Sequence, residues 1–97
     1  MTEYQIQKQI LDFLRSRNDC WAVKVEVANE RGVPDVICCC RGRFYAFEVK
    51  AVKGKATPIQ LAQIKRIRLT GGTAAVVHTV EEVRELVKWP FGTTEDT

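Results

Sequence analysis

The spacing of apolar residues predicts three helices in this chain. Helical spacing predicts one helix over about 3–17, a second that opens at Pro58 and ends at Gly71-Gly72, and a short third helix near the end. Each predicted helix follows a threonine that has glutamine or glutamate three residues later, which is the pattern of a capping box. These threonines are Thr2, Thr57 and Thr79. The sequence therefore specifies where each helix begins.

Four other segments have the pattern of strands. The first alternates apolar with polar residues, which predicts an apolar face made of Trp21, Val23, Val25 and Val27. Nearly continuous apolar runs over 36–40 and 44–50 are typical of strands covered on both faces, and 73–78 is the fourth strand. The order α-β-β-β-α-β-α predicts a mixed α/β (α+β) fold, in which helices flank a mixed central sheet. We expect one domain over 1–90 and a C-terminal tail over 91–97.

The second and third strands predict a hairpin that brings two carboxylates together. If the chain folds back at Arg41-Gly42, position n pairs with position 83 − n, and Asp35 lies opposite Glu48. Opposed side chains have Cβ atoms about 4.5–5.5 Å apart, and Lys50, two residues beyond Glu48, projects from the same face. Arg-Gly is not a favoured two-residue turn. A longer loop would shift the register by one residue and move one carboxylate to the other face.

Two carboxylates beside a lysine have the composition of a site for metal-assisted phosphodiester hydrolysis. Mg²⁺ prefers oxygen ligands, and Asp35, Glu48 and the Val49 carbonyl can supply three of them. A bound metal would polarise a phosphate oxygen and lower the pKa of a bound water. Lys50 could position that water or stabilise the charge developing on phosphorus. The structural alternative is that Glu48 and Lys50 are surface residues of a half-exposed strand, because Glu-x-Lys occurs often by chance.

Positive charge is concentrated in one part of the chain. The net charge is +3, but residues 41–68 hold eight lysines and arginines against Glu48 alone, a net +7. A clustered positive field of this kind suits a polyanion such as nucleic acid, although a solvated basic surface has the same composition. The candidate DNA-binding residues are Arg31, Arg41, Arg43, Lys53 and Lys55. We expect His78, the lone histidine, to have a structural or exposed role.

The four cysteines predict neither a zinc site nor a disulfide. Cys38, Cys39 and Cys40 are consecutive, so as strand residues they alternate between faces and cannot form one tetrahedral site. We expect them to act as small apolar residues of a strand, with Cys20 alone. Free cysteines are typical of a reducing cytoplasm, and no apolar run is long enough to cross a membrane. The expected location is the cytoplasm of a bacterial or phage-infected cell.

Pro34-Asp35 followed by Glu48-Val49-Lys50 resembles the pattern of the PD-(D/E)xK nuclease superfamily. The chain is most similar to its VRR-NUC family, the virus-type replication-repair nucleases. That resemblance also rests on Glu3 in the first helix, Gly32-Val33 before Pro34, and Gln60 at the start of the second helix. It extends from residue 3 to about 88.

The resemblance implies a restriction-endonuclease-like core and assigns roles to its residues. Asp35, Glu48 and the Val49 carbonyl would bind Mg²⁺ or Mn²⁺, and Lys50 would be catalytic. Gln60 would help to orient the site. Glu3 would take the place of a carboxylate that related nucleases carry on the first helix, and would be a further metal ligand.

The function expected from the sequence is a Mg²⁺-dependent, structure-selective DNA endonuclease. The short chain is similar to stand-alone phage and bacterial members of the family, which resemble Holliday-junction resolvases acting as homodimers on four-way junctions. Trp21, Trp89 and Phe91 are candidate dimer contacts, although Trp21 is also a candidate core residue. One alternative is a nuclease for flaps or linear duplex, and another is a non-catalytic nucleic-acid-binding subunit. The presence of Asp35, Glu48 and Lys50 favours a nuclease.

Overall fold

Seven elements form one sheet with helices on both of its faces. The computed structural model describes residues 1–88, so the predicted tail over 91–97 and the candidate contacts Trp89 and Phe91 lie outside the described residues. The elements are α1 Glu3–Arg15, β1 Cys20–Lys24, β2 Val36–Cys40, β3 Arg43–Val49, α2 Pro58–Leu69, β4 Thr73–Val77 and α3 Val80–Lys88. This is the predicted order, and the predicted mixed α/β fold is confirmed. Within residues 1–88, no helix has the length and apolar character needed to cross a membrane.

The sheet has the strand order β1-β2-β3-β4. β1, β2 and β3 form an antiparallel meander, whereas β3 and β4 are parallel. Parallel neighbours need a crossover connection, and α2 provides it here. Because β2 runs against β3 and β4, the start of β2 and the ends of β3 and β4 meet at one edge of the sheet.

Each helix begins at the capping box predicted from the sequence. The side chains of Thr2 and Thr57 accept hydrogen bonds from the backbone N–H groups of Gln5 and Gln60. The Oε1 atoms of the two glutamines accept hydrogen bonds from the threonine backbone N–H groups. Thr79 and Glu82 do the same for α3. These reciprocal bonds satisfy N–H groups that have no partner within the helix, which explains why the helix starts were correctly predicted.

The two faces of the sheet are covered unequally. α1 and α3 bury apolar side chains against one face, including Ile10 and Val83 packed around Phe47 and Val77. On the opposite face, Ile64 of α2 packs in a small cluster over β3 and β4. α2 does not reach the far strand β1, and this decides which residues of β1 are buried.

The predicted buried face of β1 is wrong. Trp21 is 59% exposed and Val27 is 89% exposed, whereas Ala22 is buried. β1 ends at Lys24, and its inward face is the one that contacts α1. The alternation correctly identified a strand, but the helices determine which face is covered.

Three exposed residues form a row across the α2 side of the sheet. Trp21 pairs with Cys39, and Cys39 pairs with Phe44.

The expectation that no disulfide forms is also wrong. Cys20 and Cys40 face each other in the β1–β2 register and form a disulfide with a Cα–Cα separation of 4.1 Å. Cys38 is a buried free thiol and Cys39 is an exposed one. The pairing depends on how the long connection between β1 and β2 sets their register, which the sequence does not reveal. With this disulfide, cysteine usage no longer supports a reducing compartment.

We predict that Cys20→Ser lowers the free energy of unfolding by about 3 kcal/mol, since the disulfide closes a loop in the unfolded chain. Denaturant titration under non-reducing conditions measures this difference. Cys39→Ser is the matched control, because it removes an exposed thiol that forms no disulfide. Equal stability of the two variants would contradict the prediction, and a reductant should lower the stability of the wild type to that of Cys20→Ser.

Candidate functional site

The predicted pairing of Asp35 with Glu48 agrees with the observed hairpin register. Val36 pairs with Phe47 and Cys40 with Arg43, so positions again add to 83, and Asp35 precedes Val36 directly. The turn has φ of 52° at Arg41 and 81° at Gly42. Positive φ at both central residues is characteristic of the type I′ turn, whose twist suits a two-residue hairpin. Arg41 therefore adopts a conformation that is uncommon for a side chain of its size.

Asp35 and Glu48, here called the acidic pair, lie on the α2 face of the sheet. Strand residues two apart share a face, and both Ile37 and Ala46 belong to the α2 cluster. Asp35 Oδ2 accepts a hydrogen bond of 2.8 Å from the Val49 backbone N–H. A strand residue directs its N–H and C=O towards the same neighbour, so the Val49 carbonyl is also directed to the side of Asp35.

Glu48 is buried, with 2% of its surface exposed, and no other charged residue among residues 1–88 is buried. Its Oε2 lies 3.5 Å from Lys50 Nζ, and the lysine side chain is itself only 14% exposed. Its Oε1 is buried without a hydrogen-bond partner among residues 1–88. An unpaired buried carboxylate oxygen is costly, so this atom is ready to receive a ligand.

The environment of Glu48 opposes its ionisation. Burial, followed by repulsion from Asp35, raises the pKa of Glu48 to about 7, and the neighbouring Lys50 ammonium only partly offsets this. A carboxyl group with a raised pKa beside a second carboxylate is typical of a functional site. A divalent cation would remove the repulsion within the acidic pair, because it attracts both carboxylates.

The donor set fits a hard divalent metal. The acidic pair supplies carboxylate oxygens, one of which is buried and unpartnered, and the Val49 carbonyl is directed to the same side. Mg²⁺ is usually held by one or two carboxylates and keeps several waters. Within residues 1–88, no three His, Cys, Asp or Glu side chains come together in a metal-binding group. Glu3 therefore does not join the acidic pair in such a group, although the resemblance had implied that it could.

The loop before Asp35 is held against α2. Gly32 has φ of 80° and sits so close to Ile59 that a Cβ atom there would lie 2.5 Å from the isoleucine side chain. Gln63 of α2 donates 3.0 Å hydrogen bonds to the Glu30 side chain and the Arg31 carbonyl. At the other end, Val25 N–H donates to the Asp35 carbonyl. These contacts fix the backbone that presents the Asp35 carboxylate.

The structure places Gln60 and Glu3 in helix first turns. Gln60 is half-buried, and its Oε1 accepts a 2.9 Å hydrogen bond from the Thr57 N–H. This oxygen is therefore engaged in capping α2, and the side-chain amide group remains as a donor. Glu3 is exposed in the first turn of α1, where its charge complements the helix dipole.

The candidate DNA-binding residues lie in three places. Lys53 and Lys55 are exposed in the loop that follows β3, next to Lys50. Arg31 is exposed on the loop before β2. Arg41 lies in the hairpin turn and Arg43 directly after it, at the opposite end of β3, and Arg41 Nε lies 3.4 Å from Asp19. Lys53 and Lys55 are thus near the acidic pair, whereas the hairpin arginines are far from it.

Sequence reasoning missed the position of His78. It directly follows β4, one strand away from Lys50, and its Nε2 lies 3.3 Å from the Gly54 carbonyl. The Lys50 N–H donates to the Val77 carbonyl, which extends the β3–β4 pairing to this point. A lone histidine carries no motif, so only the parallel pairing of β3 with β4 reveals that it adjoins the site.

Comparison with known proteins identifies the fold. Neither a family model nor a curated protein matches the sequence. A solved structure described as a VRR_NUC domain superposes with a TM-score of 0.76 and 24% identity, covering 94% of this chain and all of that one. A second, described as a VRR_NUC domain protein, gives a TM-score of 0.75 and 18% identity over 91% of this chain and 86% of that one. The chain is thus a mixed α/β protein with the fold of VRR_NUC domains.

We predict that the metal-free protein loses stability as the pH rises from about 4.3, the usual glutamate pKa, through about 7, the pKa of folded Glu48. A group whose pKa is raised by folding favours the folded state only while it is protonated. Denaturant titrations in EDTA across this range measure the effect. Glu48→Gln should flatten the profile and be more stable near pH 7, and parallel profiles for the two proteins would contradict the prediction.

Gly32→Ala should lower the free energy of unfolding more than Gly71→Ala. Both glycines have positive φ, which costs other residues about 1–2 kcal/mol, but only at Gly32 would the added Cβ also meet α2. Gly71 has open space around its Cα and is therefore the matched control. Denaturant titration compares the two variants, and equal losses would show that the contact with Ile59 relaxes freely.

Proposed function

We propose that this protein is a Mg²⁺-dependent DNA endonuclease that hydrolyses phosphodiester bonds at the acidic pair. The observation that carries the proposal is the buried Glu48, whose Oε1 has no hydrogen-bond partner in residues 1–88 while Asp35 and Lys50 flank it. An unpaired buried carboxylate oxygen needs an explanation, and a ligand that binds to this oxygen would provide one. The VRR_NUC fold supports a nuclease in general, and Mn²⁺ is the alternative metal.

The residues of the acidic pair would hold the metal and orient its waters. When bound, the metal supplies Lewis acidity to a phosphate oxygen and lowers the pKa of a bound water. Asp35 is held in place by the Val49 N–H, and Glu48 by its burial within β3. Both ligands are therefore fixed before the metal arrives, which reduces the reorganisation that binding requires.

Lys50 would stabilise negative charge at the reacting phosphate. Its Nζ lies 3.5 Å from Glu48 Oε2 and is mostly screened from water. An ammonium group in such a partly buried position interacts more strongly with an oxyanion than an exposed lysine does. Lys50 would donate a hydrogen bond to a non-bridging phosphate oxygen or to the attacking water, and Gln60 would contribute its side-chain amide from the start of α2.

The proposed substrate is branched DNA, with a four-way junction as the first choice and a homodimer as the active form. The resemblance of the motifs to VRR-NUC nucleases supports this choice, as does the exposed row of Trp21, Cys39 and Phe44. An apolar surface of this kind is typical of a protein contact, and a second copy placed there would give two active sites. A two-fold axis relating two sites suits the symmetry of a junction. Flaps and linear duplex are the alternative substrates.

The test is cleavage of a labelled four-way junction and of a linear duplex with the same sequence, in Mg²⁺. Asp35→Asn and Glu48→Gln should each lower the rate more than about 100-fold, since each removes a group that holds the metal. Glu85→Gln is the matched control, because Glu85 is an exposed glutamate that pairs with Lys88 on α3.

Paired cuts confined to the junction would support a dimeric resolvase. Cleavage of both DNAs that depends on Glu48 would leave a nuclease and overturn the junction as its substrate. DNA binding with no Glu48-dependent cleavage in Mg²⁺ or Mn²⁺ would overturn the proposed activity. That result would favour the second candidate function, a nucleic-acid-binding subunit without catalysis.

A further inference from the structure

A pocket opens beside the acidic pair, at the edge of the sheet where β3 and β4 end. It has a volume of about 590 Å³, which lies within the range of small-molecule sites. It is lined by the loop after β3, one residue of α2 and the end of β4. The lining residues are Val52, Lys53, Gly54, Lys55, Ala56, Leu61, Val76 and His78.

The pocket and the acidic pair share a wall. Val76 lines the pocket and is the parallel partner of Glu48 in the β3–β4 register. Neighbouring strands are about 4.8 Å apart and paired residues face the same side of a sheet. A strand of DNA with its scissile phosphate at the acidic pair would therefore place an adjacent nucleotide within reach of this pocket.

The chemistry of the lining suits a nucleotide. Val52 and Leu61 are 76% and 50% exposed, so they present apolar surface that the protein itself does not cover. Lys53 and Lys55 are exposed at the rim, and no acidic residue lines the pocket. Two acids lie next to lining residues: Glu48 is the strand partner of Val76, and Glu82 Oε1 lies 3.8 Å from His78 Nδ1. Apolar walls with a cationic rim complement a base that is attached to phosphates.

His78 holds the two sides of the pocket together. Its Nε2 lies within hydrogen-bond distance of the Gly54 carbonyl, which ties the lysine-bearing loop to the end of β4. Its backbone N–H is bonded to the Glu82 side chain at the start of α3. The imidazole lies between the Gly54 carbonyl and the Glu82 carboxylate, and His78 is one of the lining residues of the pocket.

We propose that this pocket binds the base of an unpaired nucleotide next to the scissile phosphate, with Lys53 and Lys55 at the flanking phosphates. The inference rests on the proposed nuclease function and deepens it by naming a substrate class. A base can enter such a pocket only after leaving the stack, and that costs least where it is already unpaired. The preferred DNA therefore has a nucleotide that leaves the stack easily at the cleaved position, as at the branch point of a junction or in a single-stranded extension.

The test measures binding in EDTA, so that it does not depend on cleavage. The probes are a duplex with a thymidine extension and the same duplex with abasic nucleotides in the extension, prepared with both polarities. For one of the two polarities, wild-type protein should bind the thymidine probe about tenfold more tightly than the abasic probe. A tenfold difference in affinity corresponds to the burial of one apolar group of moderate size. Fluorescence anisotropy gives both affinities.

Val52→Ala/Leu61→Ala removes the apolar walls and should abolish this preference. Val27→Ala/Leu69→Ala is the matched control, because it truncates the same two residue types at exposed positions outside the pocket and should retain the preference. Sedimentation of both variants reports whether the pocket contacts another protein chain.

Equal binding of the two probes by the wild type would overturn the inference, as would a preference that survives in Val52→Ala/Leu61→Ala. A change of oligomeric state in that variant alone would also overturn it, since the pocket would then be a protein contact. Absence of Mg²⁺-dependent cleavage would contradict the proposed nuclease activity instead. The base preference in EDTA would still be measurable in that case, so the two failures can be distinguished.

Discussion

The register of the β2–β3 hairpin is the constraint on which the candidate site depends. Only a two-residue turn at Arg41-Gly42 places Asp35 opposite Glu48, and both turn residues adopt positive φ to make it. A slip of one residue would send every side chain of one strand to the opposite face. Asp35 would then point towards α1 and α3, where the apolar core leaves no room for a carboxylate. The turn, some five residues from the site, therefore determines whether the acidic pair exists.

The burial of Glu48 is a local cost that the rest of the fold offsets. A carboxylate at this depth, beside Asp35, disfavours its own ionised form. The surrounding core offsets that cost, since the apolar residues that alternate with Glu48 along β3 pack against α1 and α3. The same strand thus contributes Tyr45, Phe47 and Val49 to the core on one face and Glu48 to the site on the other. A bound cation would convert the repulsion within the acidic pair into attraction.

Topology explains why the polar groups gather at one edge of the sheet. The antiparallel β2 begins where the parallel strands β3 and β4 end. Asp35, Lys50 and His78 are therefore neighbours in space, although more than forty positions of sequence separate the first from the last. The α2 crossover returns over this edge and contributes Ile59, which contacts the loop before Asp35, and Leu61, which lines the neighbouring pocket. The same few connections thus position the acidic pair and the neighbouring pocket.

The sequence by itself determined the order of elements, the three helix starts and the pairing of Asp35 with Glu48. These features depend on local interactions: capping boxes act within four residues, and a two-residue turn fixes the register of the strands beside it. Tertiary structure alone decided that Trp21 is exposed, that Cys20 meets Cys40, and that Glu3 does not join the acidic pair in a metal-binding group. Each of these depends on contacts between distant segments, such as the reach of α2 across the sheet and the path of the loop between β1 and β2. Hydrophobic patterning shows that a strand has two unlike faces, but only the packing of helices decides which face is buried.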